Sequence, residues 1–211
     1  MMSCTVMNLV LPLVLLCTWR LQEGAQACSC LPVHPQTAFC QADVVIKAMV
    51  VSRKDVGGFD KPIMYHIKQA KTFKSPHSRV DAVYTAASSA ACGVTLTKGV
   101  EYLITGRLAS DRSLHITLCD FIAPWDTLSS SQKVDLVQRY KSGCNCQITP
   151  CHATPCRSSS PDECSWTDFL TNSGDMQLAK YFACLKTRHG PCAWFRGAPL
   201  PTKNYMGTKG R

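Results

Sequence analysis

The chain has 211 residues, 23 Lys and Arg against 14 Asp and Glu for a formal net charge of +9, and 14 cysteines. Beyond the amino terminus no stretch approaches the roughly 20 consecutive apolar residues that a spanning helix needs, which excludes a membrane span. Its basic residues are dispersed, from Lys47, Arg53, Lys54, Lys68, Lys71 and Lys74 to Lys186, Arg188 and Arg196. Without a run of like charges or a reading motif, nucleic acid is excluded as a partner, and the charge fits a soluble basic surface or weak attraction to sulfated matrix glycans.

In chain order, the first feature is a short apolar run from Leu9 to Leu16 followed by Ala25-Gln26-Ala27, a small-x-small cleavage signature, with Cys28 next. Residues 1–27 therefore read as a signal peptide, and the mature protein as secreted into the extracellular space or matrix with a cysteine as its first residue. Removal takes Cys4 and Cys17 with it and leaves twelve cysteines. An even count in an oxidising compartment implies a disulfide framework. If Cys28 is bonded, its α-amino nitrogen and carbonyl oxygen are fixed together and can present one nitrogen and one oxygen to a metal ion.

Val44-Val45-Ile46 and Val50-Val51 form a β-branched run around Lys47, which predicts a strand ending before the Gly57-Gly58 turn. Ile63 to Phe73 alternates, with Ile63, Tyr65 and Ile67 on one face and His66 and Lys68 on the other, as the return strand of a hairpin. Val80 to Thr85, Glu101 to Leu108 and Leu114 to Phe121 supply three more strands. Five short strands with such turns suit a small closed or partly closed barrel.

Ser129 with Gln132 has the form of a capping box, and Val134, Leu136, Val137 and Tyr140 recur at helical spacing, which predicts an amphipathic helix running to Gly143. From Cys144 to Cys192 there are seven cysteines, several prolines and little periodicity, whereas none lies between Cys40 and Cys92. The shift in density predicts a sheet domain over residues 28–144 and a smaller, disulfide-rich subdomain with a basic tail over residues 145–211. Each bond in the latter contributes roughly 2–4 kcal/mol.

Read by themselves, the chemical motifs are weak. Cys28-Ser29-Cys30 is a C-x-C pair that either staples the amino terminus or clamps it so that Ser29 points into a pocket. Cys144-x-Cys146, Cys151-x4-Cys156 and Cys164 lack the paired C-x2-C knuckles and reduced thiols of structural zinc sites. The six histidines form no H-E-x-x-H, and there is no G-x-S-x-G, so no hydrolase site is assembled and the chain reads as no enzyme.

The stretch Cys28-Ser29-Cys30-Leu31-Pro32-Val33-His34-Pro35-Gln36-Thr37-Ala38-Phe39-Cys40 resembles the amino terminus of the tissue inhibitors of metalloproteinases. Further blocks that look like the family are Ala91-Cys92-Gly93-Val94, His115 to Phe121, Gly143-Cys144-Asn145-Cys146, Asp162 to Asp168 and Cys192 to Gly197, in wording nearest to the family's second member. The resemblance implies a mainly β fold, a five-stranded OB-type (netrin-like) barrel with helices, followed by the small disulfide-rich subdomain. It also implies the pairing Cys28–Cys92, Cys30–Cys119, Cys40–Cys144, Cys146–Cys192, Cys151–Cys156 and Cys164–Cys184. Twelve cysteines allow roughly ten thousand connectivities, so the residues alone leave this open.

By the same resemblance, Cys28, Ser29, Cys30, Leu31 and Pro32, with Ser88, Ser89, Ala90, Ala91 and Cys92, form a ridge that enters the cleft of a matrix metalloprotease catalytic domain, one to one. Cys28 is expected to chelate the partner's zinc, with Ser29 in the adjacent specificity pocket. The chain itself needs no cofactor and is expected to be a monomer when free. The short turn between Val51 and Ile63 departs from the second member's long hairpin loop, and the tail from Lys203 to Arg211 lacks its acidic residues, so docking on a latent gelatinase is not carried over. The reading from another class is a non-inhibitory netrin-like module that binds matrix or a receptor, which has no need of a free Cys28 terminus.

Overall fold

A computed structural model describes residues 28–57, 61–76, 79–156, 158–170, 176–188 and 190–197. The signal peptide expected over residues 1–27 and the basic tail from Lys203 lie outside these described residues.

The fold is mainly β, with few helices. Strand β1 (Val44–Asp55) pairs antiparallel with β2 (Ile63–Lys74) on one side and with β4 (Glu101–Leu108) on the other. Strand β2 continues to β3 (Ala82–Thr85), which pairs in parallel with the two-residue β5 (Leu114–His115). Since β5 pairs with β4 through Arg107 and Leu108, these five strands close into a ring, with β6 (Ile122–Pro124) added on β4. Three register shifts along the β1–β2 pair mark the bulges by which this long hairpin bends.

Strand β1 explains the two cores. Val44, Ile46, Ala48 and Val50 point into the ring with Tyr65, Ile67, Val83, Ile104, Leu114 and Ile116. Val45, between them in sequence, points the opposite way, to Phe39, Leu103, Leu136, Tyr140 and Ala183. A strand covered on both faces reads as a continuous apolar run, and the sequence Val44-Val45-Ile46 is one. Inside the ring the Tyr65 hydroxyl donates to the Val94 carbonyl at 3.4 Å and accepts from the Leu96 N–H at 3.2 Å, so a buried polar group is satisfied.

The second core lies under two helices. The first, α1 (Pro35–Gln41), is absent from the periodicity reading. It starts at Pro35, where a missing N–H costs nothing, and the ring of its N-cap residue His34 accepts from the Gln36 N–H. Its last carbonyls are met by the Lys74 ammonium, which donates to Phe39 O at 3.2 Å and Cys40 O at 2.8 Å. The second, α2 (Ser130–Gln138), starts at the expected capping box, with Ser129 and Gln132 satisfying each other's backbone N–H. It stops at Gln138, short of Gly143; a separate turn, Ser142–Asn145, carries Cys144.

The buried face of α2 also differs from the apolar one expected. Leu136 and the following Tyr140 are buried, but Val137 is exposed, and Ser131, Gln132 and Asp135 are buried instead. Gln132 reaches the Ala179 carbonyl at 3.1 Å, and Asp135 is paired with Arg139 one turn on. Burial raises the Asp135 carboxyl against the opposing pull of Arg139. Arg139 in turn donates to the Arg196 carbonyl at 3.0 Å, which fastens the last strand to this helix.

Beyond Cys146 the chain is ordered into more structure than its composition suggests. Strands β7 (Gln147–Pro150) and β8 (Glu163–Trp166) pair in parallel; after helix α3 (Gln177–Tyr181), β9 (Phe182–Lys186) and β10 (Cys192–Arg196) pair antiparallel. Bonds Cys146–Cys192, Cys164–Cys184 and Cys151–Cys156 hold these elements, and Cys40–Cys144 joins α1 to the turn before them.

The region after residue 144 is seated on the end of α1. His34, only 1% exposed, lies between the rings of Trp166 and Trp194, each with its centroid 5.3 Å away. Gln36, fully buried, reaches Gly143 and Cys184.

Candidate functional site

Immediately before His34 the chain emerges from this anchor as a short exposed segment. Ser29, Leu31 and Pro32 are exposed, and Leu31 at 80% is the most exposed large apolar residue among those described. Cys28 and Cys30 are half-buried because both are bonded, Cys28 to Cys92 and Cys30 to Cys119. The Cys28 nitrogen donates to the Ala90 carbonyl at 3.0 Å, so the backbone as well as the sulfur of this residue is tied to the neighbouring loop.

That loop is stiff for reasons visible in its residues. Ser88 caps a single 3-10 turn, Ser89–Ala91, its side chain accepting from the Ala91 N–H. Cys92 closes the turn with φ of +63°, the left-handed conformation in which helical turns commonly end. The Gly93 N–H then donates to Ser88 O at 2.8 Å. A side chain at Gly93 would meet the carbonyl oxygens of Ala86 and Ser88, so glycine permits a close backbone approach. Ser88, Ser89, Ala90 and Ala91 are all exposed on the outside of the turn.

The structure thus brings the two predicted segments, Cys28–Pro32 and Ser88–Cys92, side by side in one ridge. It adds a third segment that the sequence reading placed inside a strand. The expected strand Leu114 to Phe121 stops at His115, because Asp120 Oδ2 accepts from the Thr117 N–H at 2.8 Å and from its hydroxyl at 2.9 Å. The resulting turn carries Cys119 out to Cys30, and the Leu118 N–H donates to Cys92 O at 2.9 Å. A Thr three residues before an Asp, with a cysteine between, was the signal for it.

The sulfurs of Cys28, Cys30, Cys92 and Cys119 lie within 4.8 Å of one another. All four are consumed in two disulfides, so they offer no thiolate and hold no ion of their own. What the ridge can offer chemically is main chain and small hydroxyls: the Cys28 nitrogen and carbonyl, then Ser29, with Ser88 and Ser89 on the neighbouring turn. No described helix is long and apolar enough to cross a membrane.

The sequence model of a family described as tissue inhibitor of metalloproteinase matches residues 26–194, most of the chain. The chain belongs to this family. Among relatives in the family, metalloproteinase inhibitor 2 of Cavia porcellus is 51% identical over 215 residues, covering 97% of this chain and 98% of the relative. The Homo sapiens protein of that name is 51% identical over 210 residues (95% and 94%), and the Gallus gallus protein 47% over 193 residues (86% and 87%). These family members carry the name of an inhibitor, not of an enzyme.

Proposed function

We propose that the mature chain inhibits zinc-dependent matrix metalloproteases by inserting the Cys28 ridge into their catalytic cleft. The observation that carries this reading is the double fixation of Cys28, through its sulfur to Cys92 and through its nitrogen to Ala90 O at 3.0 Å. Cleavage after Ala27 turns that nitrogen into an α-amino group. A catalytic zinc keeps one position open for water or substrate. The amine and carbonyl of Cys28 take that position as a five-membered chelate and exclude the water. Ser29 then stands where a substrate side chain would enter the specificity pocket, with no scissile bond at a reactive place. Rigidity matters because a free terminus would lose ordering entropy on binding, and the two disulfides have already removed that cost.

Within this reading the ring of five strands with its packed helix is an OB-type, netrin-like barrel. Residues 28–144 form the inhibitory domain and residues 145–211 the carboxy-terminal subdomain. The zinc belongs to the partner, the complex is one to one, and the protein acts outside the cell.

The test is a titration of an active matrix metalloprotease catalytic domain with the correctly processed protein, beside a version bearing one additional alanine before Cys28. Loss of activity in proportion to added protein, reaching zero near equivalence, is expected for the first and little change for the second. If neither inhibits while both are folded and disulfide-bonded, the reading is wrong and the scaffold serves binding alone.

A further inference from the structure

The two disulfides of the ridge stand side by side. Cys28 Sγ is 3.8 Å from Cys30 Sγ, to which it is not bonded, and with Cys92 and Cys119 all four sulfurs fall within 4.8 Å of one another. The sulfurs of Cys146, Cys184 and Cys192 are equally close behind the last strands, and access separates the two clusters. Cys146 and Cys184 are buried there, as is Cys164, the partner of Cys184. In the ridge, Cys119 is exposed on the turn closed by Thr117 and Asp120. Cys144 is exposed as well, but neither it nor Cys40 joins such a cluster among the described residues. Only at Cys119 do an open sulfur and an adjacent second bond coincide among them.

We infer that Cys119 is a thiolation site for a small soluble thiol such as glutathione, and that the exchange begun there passes inward and releases Cys28 from Cys92. Disulfides exchange by attack of a thiolate on one sulfur and departure of the other, and access decides which sulfur is reached. The incoming thiolate attacks Cys119 Sγ, forms a mixed disulfide there and expels the Cys30 thiolate. That sulfur has Cys28 Sγ beside it at 3.8 Å. It attacks Cys28 Sγ, forms Cys28–Cys30 and expels the Cys92 thiolate, which takes up the proton that the incoming thiol gave to solvent. Each step breaks one S–S bond and makes one, so a single captured thiol is the only co-reactant. Removal of the free thiol reverses both steps, since Cys92 and Cys30 retrace the attacks. The other four disulfides take no part, so the two cores keep their bonds. Resting on the inhibitory reading above, the exchange gives the ridge an inactive form: Cys28 loses its sulfur tie to the Ser88–Cys92 turn, and with it the rigidity that binding needs.

The experiment incubates the processed, unmutated protein with graded glutathione, traps free thiols with N-ethylmaleimide and maps every bond by mass spectrometry without reduction. The expected product carries glutathione on Cys119, maleimide on Cys92 and a bond between Cys28 and Cys30, with the other four disulfides intact. Maleimide on Cys30 beside an intact Cys28–Cys92 bond overturns the transfer. Glutathione appearing first at Cys144 or Cys40, or nowhere at concentrations that leave the other bonds intact, overturns the site. In parallel, inhibition of a matrix metalloprotease catalytic domain is expected to fall in proportion to the fraction thiolated and to return when glutathione is removed. Full inhibition by protein mapped as thiolated and transferred overturns the inactive form. Failure of the untreated protein to inhibit would instead count against the inhibitory reading, and the bond map would still decide the exchange.

Discussion

Gln36 and Cys184, 148 residues apart, exchange two hydrogen bonds: the Gln36 amide donates to Cys184 O at 2.7 Å, and the Cys184 N–H donates to Gln36 Oε1 at 2.8 Å. The same amide also donates to Gly143 O at 2.9 Å. A side chain here serves as the strand partner that β9 lacks, and it does so from the helix that directly follows the exposed ridge. The two halves of the molecule are thereby joined by a fully buried polar contact as well as by apolar packing.

Gln36→Leu preserves much of the volume but leaves Cys184 O and the Cys184 N–H without partners, and Gly143 O with only the Cys146 N–H at 3.0 Å. Each orphaned buried group costs about 1–3 kcal/mol, so a loss on the order of 3 kcal/mol is expected. Urea unfolding with the disulfides intact measures it, and a change below about 0.5 kcal/mol, the scale of an ordinary surface substitution, sinks the assignment.

His34 makes stability depend on pH in a defined window. Gln36 N–H donates to its Nδ1 at 3.2 Å, which leaves the proton on Nε2, 3.3 Å from Leu178 O. Burial against two tryptophans outweighs the bond to Leu178 and the charge of Asp168 and lowers its pKa from 6.5 to about 4. A ring that resists the proton when folded binds it more readily when unfolded. Its contribution is therefore complete above pH 6.5 and is lost as pH falls toward 4, by about 3 kcal/mol in all on the linkage relation. Asp135, whose carboxyl is raised by burial, works in the opposite sense, so the comparison must be against a variant that keeps it. His34→Asn retains an N-capping side chain without titrating. Its unfolding free energy is expected to change less steeply than the parent's between pH 6.5 and 4; equal slopes would show that His34 is not responsible.

The ridge depends on one close approach. Gly93→Ala drives a methyl group into the carbonyls of Ala86 and Ser88, and relief of the clash must displace the Ser88–Cys92 turn. A loss of about 1–3 kcal/mol is expected from overpacking of this kind, together with inhibition weakened more than the stability change alone explains. Parallel melting curves and inhibition constants test it, and parental inhibition would mean that the turn tolerates displacement.

The distribution of what could be foreseen has a physical basis. The capping box at Ser129 and Gln132 is a local device, and both of its bonds form. Strands β1, β2 and β4 carry long apolar patterns and are found close to where they were expected. Helix α1 left no periodic trace because a proline, a histidine cap and the Cys40–Cys144 bond set it in place of an apolar stripe. The strand after His115 was overextended because its apolar pattern hides the Thr117–Asp120 turn. The burial of Gln132 follows from a partner on α3 that no window around α2 contains, and Asp135 is buried with Arg139, which reaches on to β10. In the site, the terminal segment was marked by C-x-C, whereas its proximity to Ser88–Cys92 comes from contacts more than 60 residues apart, such as Cys28 with Cys92 at a separation of 64.

Chelation through Cys28 has a signature of its own. Only the neutral amine carries a lone pair for a metal, and an ordinary α-amino group has a pKa of about 7.7–8.0. At pH 7 removal of its proton costs roughly 1 kcal/mol, and each further unit toward acid adds about 1.4 kcal/mol. The inhibition constant is therefore expected to rise as pH falls, by roughly fifty-fold between pH 8.5 and pH 6 on those values. The target enzyme titrates in the same range, so its own contribution is removed by measuring a small zinc-binding inhibitor without an amine under identical conditions. N-acetylation of the processed protein gives the limiting case, in which the lone pair is withdrawn at every pH and inhibition should vanish without loss of fold. A corrected constant that stays flat from pH 8.5 to 6, or an acetylated protein that still inhibits, would remove the amine from the mechanism and shift the contact to Ser29 and the Ser88–Cys92 turn.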